Sequence, residues 1–185
     1  MKNSIRISGG ILKGKNIPFD HKSSLRPTSN KLREILFNWL QFEIKELECL
    51  DLFAGTGALG IEAISRGAKN SFFIELNKKN YLVIKSTLKS LGLESRSTLL
   101  FKDSLSWASK SDLSMFNLIF ADPPFNNDVE SRVLKILANN KTLSQSCKIY
   151  LEKSKFSAIE IPSSFTILKE KKVGDVKAFL LKYEN

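Results

Sequence analysis

The sequence has few of the residues that build metal or disulfide sites. Among its 185 residues are only two cysteines, Cys49 and Cys147, and a single histidine, His21. The two cysteines lie in apolar stretches far apart in the chain and form no CxxC pair. Since a structural zinc site needs about four Cys or His ligands, we expect no metal and two buried free thiols.

Long apolar runs are also missing. No stretch approaches the ~20 apolar residues of a membrane helix, and no apolar signal core follows the basic residues at the N-terminus. The hydrophobic fraction of 42% is that of a globular protein. We therefore expect a cytoplasmic protein with one well-filled core, no membrane partner and a monomeric state.

Acidic residues are nearly absent from the start of the chain. The first 33 residues carry eight Lys or Arg side chains against one acid, Asp20, within a net charge of +10 for the whole protein. Clustered positive charge beside a globular core is expected of a protein that binds a phosphate backbone. A basic surface that is merely solvated remains the alternative.

Residues 4–18 predict a small β-hairpin, because apolar Ile5 and Ile7 alternate with polar neighbours. Gly9-Gly10 is expected to supply the turn, and Ile11–Ile17 to return as the second strand. After an extended lead-in at Arg26-Pro27, Thr28 or Ser29 can cap a helix. Its buried face is predicted from apolar residues at helical spacing: Leu32, Ile35, Leu36, Trp39 and Leu40. We therefore divide the chain into a basic hairpin and lead-in, 1–27, and a main domain, 28–185.

Beyond residue 48, short apolar strands alternate with helical patterns, which predicts an α/β fold with a doubly wound, mostly parallel seven-stranded sheet. Two alternating segments around Gly174-Asp175 predict a closing antiparallel hairpin. The predicted strands are 49–53, 70–75, 97–101, 116–121, 148–152, 166–172 and 176–183, and the later helices are 77–91, 104–110 and 129–137.

A glycine loop follows the first of these strands. Gly55-Thr56-Gly57-Ala58-Leu59-Gly60 matches G-x-G-x-x-G and opens a predicted helix. Such a loop can hold a nucleotide-like cofactor. Asp51 stands four residues before the first glycine, and a carboxylate there suits a cationic ligand such as S-adenosylmethionine better than a pyrophosphate.

Two more acids end the next strands. Glu75 is placed to accept both hydroxyls of a ribose, a role common to nicotinamide and adenosylmethionine binders. Asp103 could accept from an adenine amino group, although a helix cap for the segment at 104 explains it almost as well.

Asp122-Pro123-Pro124-Phe125 directly follows the fourth strand. The Asp122 carboxylate and the Pro123 carbonyl could accept the two N–H protons of an aromatic amine and turn its lone pair toward a methyl donor. The prolines fix the backbone and remove competing donors. Phe125 could stack on the target base, which must be unpaired or flipped out to reach the site.

With these motifs in place, the sequence resembles the bacterial 16S ribosomal RNA guanine-N2 methyltransferases. The resemblance covers nearly the whole chain, except the segment before the proline turn and residues 154–165. It is most particular in Arg6-Ile7-Ser8-Gly9-Gly10 and Leu25-Arg26-Pro27-Thr28, since other amino-methyltransferases share the glycine loop and the proline turn.

The resemblance implies a Rossmann-like class I methyltransferase that acts on the small ribosomal subunit with S-adenosylmethionine as cofactor. The residues expected at the cofactor are Asp51, Gly55, Thr56, Gly57, Glu75, Asp103 and Asp122. Those expected at the RNA or ordered over the site are Arg6, Lys13, Lys15, Arg26, Thr28 and Phe125, with Asp122, Pro123 and Phe125 as the catalytic group.

Three other functions remain open. An adenine-N6 nucleic-acid methyltransferase shares both motifs, although 185 residues leave little room for a target-recognition domain. A non-catalytic RNA-binding assembly factor on the same fold would not need an intact Asp-Pro-Pro-Phe turn. A nicotinamide dehydrogenase is the weakest alternative, because no catalytic His, Lys or Tyr group accompanies the loop.

Overall fold

The computed structural model describes residues 3–19, 28–124 and 128–184. The strands in these ranges are β1 Asn3–Arg6, β2 Asn16–Phe19, β3 Glu48–Asp51, β4 Asn70–Glu75, β5 Ser97–Phe101, β6 Leu118–Ala121, β7 Lys148–Ser154, β8 Phe165–Val173 and β9 Val176–Tyr183. The α-helices are α1 Asn30–Trp39, α2 Ala58–Ser65, α3 Lys78–Ser90, α4 Ser104–Ala108 and α5 Val129–Asn139, and a short 3-10 helix spans Glu94–Arg96.

Seven strands form one sheet in the order β5-β4-β3-β6-β7-β9-β8. The first five of these are parallel, whereas β9 pairs antiparallel with both β7 and β8. The predicted doubly wound fold with a closing antiparallel hairpin is confirmed. The predicted bounds of the strands and later helices agree with the observed ones within two residues.

The central strand β6 shows why the sheet is covered on both faces. All four of its residues are buried, and successive side chains point to opposite sides. Leu118 and Phe120 pack in the cluster that holds α1, whereas Ile119 and Ala121 pack in the cluster that holds α5. A continuous apolar run is therefore what a central parallel strand requires.

Helix α1 begins after Ser29, whose side chain accepts from the backbone N–H of Leu32 at 3.2 Å. Of the two predicted capping residues, Ser29 is therefore the one that caps. The predicted buried face is confirmed at Leu32, Leu36 and Leu40, but Ile35 and Trp39 are only half-buried. Arg33 and Phe37 are the residues that complete the buried face.

The N-terminal hairpin follows a different course from the predicted one. β1 and β2 do pair, with Ile5 opposite Ile17. However, Gly9-Gly10 is not the turn, and β2 begins only at Asn16. The intervening chain crosses the end of α2 instead, where a Cβ on Gly10 would lie 1.8 Å from the carbonyl oxygen of Ser65. The glycine pair allows this close approach, so the predicted return of 11–17 as a strand was wrong. The proposed boundary at residue 27 stays a prediction.

Both cysteines are free and buried, as expected. Burial raises the pKa of the Cys147 thiol to about 12 and that of Cys49 still further, so neither is a reactive thiolate. In the three described stretches, no helix has the length and apolar character to cross a membrane. Those stretches also hold no cluster of three or more His, Cys, Asp or Glu side chains suited to a metal ion.

Candidate active site

A cavity of about 1580 Å³ opens at the carboxyl ends of the parallel strands. This is the edge at which doubly wound sheets bind their ligands. Its wall includes the glycine loop, the acids that end several strands, the proline turn and the β8–β9 turn: Gly55, Thr56, Glu75, Asp103, Asp122, Pro123, Glu152 and Gly174 all contribute, together with Phe19, Thr28 and Leu32 from the N-terminal part.

Four acids lie at this edge on adjacent strands: Glu75 ends β4, Asp51 ends β3, Asp122 follows β6 and Glu152 lies two residues before the end of β7. The parallel register places Asp51 opposite both Phe73 and Phe120, so that Glu75 and Asp122 lie two residues beyond its partners. Side chains two residues apart share a face, and all four acids therefore lie on the α1 and α2 face of the sheet.

Glu75 fixes the glycine loop to the end of β4. Its carboxylate accepts from the backbone N–H of Gly55 at 2.8 Å and from that of Asn77 at 2.6 Å. Burial raises the pKa of Glu75, and these two N–H donors oppose the rise. Gly57 has a φ of 77°, a backbone conformation that favours glycine, where the loop turns into α2.

Asp51 is less accessible than its position beside the loop suggests. Its carboxylate is 2% exposed and accepts from the backbone N–H of Gly60 at 3.2 Å. Burial raises the pKa of Asp51 to about 7, and the charges of Asp122 and Glu75 add to the rise. Neither Asp51 nor Gly57 contributes to the cavity wall, whereas Gly55 and Thr56 do.

Asp103 is observed in one of its two predicted roles and is positioned for the other. Its side chain accepts from the backbone N–H of Ser106 at 2.8 Å and so caps α4. The residue also lines the cavity. The cap is thus observed, and contact with a cofactor stays a prediction.

The proline turn is held from the N-terminal side of the chain. The Thr28 hydroxyl donates to Oδ2 of Asp122 at 2.5 Å, across 94 residues of sequence. Thr28 is buried and Asp122 is half-buried, and both residues line the cavity. Pro123 is buried and Pro124 is exposed, while Phe125 lies outside the described residues.

Glu152 is a site residue that the motifs did not identify. It is 2% exposed, lines the cavity and accepts from the Tyr150 hydroxyl at 2.7 Å. Burial raises the pKa of Tyr150, and the charges of Glu152 and Asp122 raise it further. The sequence signal that could have identified Glu152 is an acid directly after the apolar run Ile149-Tyr150-Leu151 of a predicted strand.

Of the predicted RNA-facing residues that the structure describes, the three hairpin cations lie apart from the cavity wall and Thr28 does not. Arg6, Lys13 and Lys15 are exposed on the hairpin and are absent from the wall, whereas Thr28 is part of it. Arg26 lies outside the described residues, so its placement stays a prediction.

One cation of the basic N-terminal segment is not on the surface at all. Arg33 is 1% exposed, with Nη1 3.9 Å from the buried carboxylate of Glu62. The same carboxylate accepts from the Ser8 hydroxyl at 2.7 Å and from Arg66 Nε at 2.9 Å. Counting Arg33 toward a phosphate-binding surface was therefore wrong, because it serves to attach the hairpin to α1 and α2.

Comparisons with known proteins agree over the length of the chain. The model of the family described as "Conserved hypothetical protein 95" matches residues 5–182. A Buchnera aphidicola protein named "Ribosomal RNA small subunit methyltransferase D" is 38% identical over 97% of this chain and 94% of its own length. The Escherichia coli protein of that name is 33% identical over 93% and 86%.

Solved structures share the fold. The yhhF protein from Escherichia coli superimposes with a TM-score of 0.87 at 32% identity, over 98% of this chain and 99% of that one. An RNA methyltransferase from Salinibacter ruber, in complex with S-adenosyl-L-homocysteine, gives 0.68 at 13% identity over 86% and 94%. The fold is that of class I methyltransferases, and the chain belongs to the conserved hypothetical protein 95 family, that of the ribosomal RNA small subunit methyltransferase D proteins.

Proposed function

We propose that this protein transfers a methyl group from S-adenosylmethionine to the exocyclic N2 amine of a guanine in 16S ribosomal RNA. The observation that carries the proposal is that the glycine loop, held by Glu75, and the Asp122-Pro123 turn open onto one cavity. The names of the curated relatives support small-subunit ribosomal RNA as the substrate.

The cavity fits a cofactor together with a target base. Its volume of about 1580 Å³ exceeds the roughly 300–1,000 Å³ of a site for one small molecule. Glu75 would accept the ribose hydroxyls, Asp103 the adenine amino group, and Gly55 and Thr56 would contact the cofactor along the loop. When bound, S-adenosylmethionine supplies an electrophilic methyl group on a sulfonium.

The proline turn would prepare the attacking nitrogen. The lone pair of an aromatic amine is delocalised into the ring, so acceptors for its two N–H protons are needed to localise it. The Asp122 carboxylate and the Pro123 carbonyl would provide them. Methyl transfer would leave S-adenosylhomocysteine as the second product and place positive charge on the nitrogen, which the Asp122 carboxylate would stabilise. The methylated ammonium is a strong acid, and its proton would pass to water.

The RNA would approach across the basic hairpin. Arg6, Lys13 and Lys15 are exposed there and would contact phosphates. Arg26 would also contact RNA, and Phe125 would stack on the flipped base. We propose that the protein acts as a monomer in the cytoplasm, and sedimentation with and without small subunits would check the stoichiometry.

Methyl transfer from labelled S-adenosylmethionine to small subunits lacking the modification tests the function, with the position mapped by mass spectrometry. We expect one N2-methylguanine in 16S RNA. Asp122→Ala should abolish transfer and leave calorimetric cofactor binding within about threefold. Asp112→Ala, which changes an exposed acid away from the cavity, is the matched control. Full activity of Asp122→Ala would refute the mechanism.

The same assay separates the alternatives. Transfer to duplex DNA, with N6-methyladenine as the product, would favour an adenine-N6 enzyme. Absence of S-adenosylmethionine binding in calorimetry would favour a non-catalytic assembly factor.

A further inference from the structure

Glu152 lies on β7, the strand next to the one that Asp122 follows. In the parallel β6–β7 register Ala121 lies opposite Leu151, so the next residue on each side is a carboxylate. Neighbouring strands are about 4.8 Å apart, and both acids lie on the α1 face of the sheet. The cavity wall thus carries two adjacent acids where the proline turn would hold the target amine.

Strand order places Glu152 on the side of the target rather than the cofactor. The sequence across the sheet is β4, β3, β6, β7, so Glu75 and the glycine loop lie on one side of Asp122 and Glu152 on the other. Beyond β7, the β8–β9 turn at Gly174-Asp175 continues the cavity wall. A base that presents its amine at Asp122 would therefore lie with its ring toward β7.

The Tyr150 hydroxyl keeps Glu152 oriented as an acceptor. Tyr150 is fully buried, and its hydroxyl donates to Oε1 of Glu152. A carboxylate accepts at about four lone-pair sites, so an N–H donor of a ligand can bind Glu152 in addition to the Tyr150 hydroxyl. An ionised carboxylate donates no hydrogen bond. The two acids together therefore favour a base whose facing edge carries only hydrogen-bond donors.

Purine bases differ at that edge. Guanine presents the N1–H donor beside its exocyclic N2 amine, whereas adenine presents an N1 lone pair beside its N6 amine. We propose, on the basis of the function proposed above, that Glu152 accepts the guanine N1–H and makes the site select guanine over adenine. A site built to bind an N–H rejects an analogue lacking it by up to about 10⁴-fold, because the acceptor then faces a lone pair.

2-Aminopurine provides the test, because it keeps the C2 amine but has an unprotonated N1. Small subunits would be reconstituted with 16S RNA carrying guanine or 2-aminopurine at the mapped position, and initial rates of methyl transfer compared. We expect the wild-type protein to prefer guanine by at least about 100-fold. In Glu152→Gln the ratio should fall below about 10-fold, since the amide can donate to the unprotonated N1.

Two variants provide the controls. Glu170→Gln removes an exposed carboxylate on β8, outside the cavity, and should keep the wild-type ratio. Tyr150→Phe keeps Glu152 but removes the donor that orients it, so its ratio should lie between those of the wild type and Glu152→Gln. The comparison of the two bases with wild-type protein needs no variant and so does not depend on any variant folding.

The outcomes separate this inference from the function on which it rests. Absence of transfer to guanine by the wild-type protein would refute the function itself. Transfer to guanine and 2-aminopurine at equal rates would overturn the role of Glu152 alone. An unchanged ratio in Glu152→Gln, with weaker binding of S-adenosylmethionine in calorimetry, would also overturn it and assign Glu152 to the cofactor.

Discussion

The two halves of the cavity are built by different kinds of contact. On the β4 side, Glu75 accepts from Gly55 and Asn77, which are backbone groups of the loop and turn next to it. On the β6 and β7 side, Asp122 is held by Thr28 from a distant part of the chain. The half that we propose for the cofactor is thus organised by neighbouring backbone groups, whereas the half that we propose for the target base depends on the N-terminal segment being in place.

The strongest test of this division is Asp122→Asn, which keeps the size of the side chain but removes its charge. We expect methyl transfer to fall about 10²–10³-fold, because the charge developing on the amine loses its partner. Cofactor affinity measured by calorimetry should change little. A large loss of cofactor affinity would mean that the two halves are not separable.

Glu75→Gln addresses the cofactor half. The amide oxygen can accept from only one of Gly55 and Asn77, and the charged hydrogen bonds to a ribose are also lost, which predicts a Kd for S-adenosylmethionine about 10–100-fold higher. The rate at saturating cofactor should stay near that of the wild type. Glu94→Gln, in the short 3-10 helix, serves as the control. A lower saturating rate with unchanged Kd would reverse the assignment of Glu75.

Thr28→Val addresses the long-range contact. It preserves the shape of the side chain and removes the hydroxyl that donates to Asp122, so we expect kcat about 10-fold lower with an unchanged cofactor Kd. Thr28→Ser retains the hydroxyl and should restore most of the rate. If Thr28→Val raised only KM for the small subunit, Thr28 would instead contact RNA, as the sequence predicted.

The smallest expected effect concerns Asp51, which lies between the halves. Its pKa of about 7 in the folded protein exceeds the value of about 3.9 for an unfolded chain. The proton that it retains therefore stabilises the fold fully below about pH 4, and this stabilisation is lost as pH rises through about 7.

Asp51→Asn mimics the protonated acid, so the variant should not lose this stabilisation as pH rises. We expect the difference in free energy of unfolding between the variant and the wild type to shift by about 1 kcal/mol in favour of the variant from pH 6 to pH 8. Urea unfolding at both pH values would measure it. A difference independent of pH would show that Asp51 does not titrate in this range.

Local patterns account for what the sequence predicted. Strand and helix periodicities give the order of elements, and Glu75 follows from its place at a strand end beside a glycine loop. Asp122 likewise stands out because Pro123 and Pro124 follow it. Each of these features is set by residues close together in the chain, so spacing alone identifies them.

The features that were missed depend on tertiary contacts. Nothing near Thr28 in the sequence points to Asp122, since the bond joins residues 94 positions apart. Arg33 looks like a surface cation until Glu62 is placed against it. Gly9-Gly10 has the composition of a hairpin turn, but in the fold Gly10 lies against the backbone at the end of α2, where a side chain would not fit. Asp51 neighbours the loop, yet its side chain points to Gly60.

The buried carboxylate of Glu62 limits how this protein can be engineered. Its partners come from the hairpin, from α1 and from α2, so no one of these segments contains the whole cluster. Removing one member of a buried ion pair typically destabilises a protein by about 3–5 kcal/mol. The hairpin is therefore not a module that can be transferred by itself. A chimera that moved it to another methyltransferase would have to carry Arg33, Glu62 and Arg66 with it.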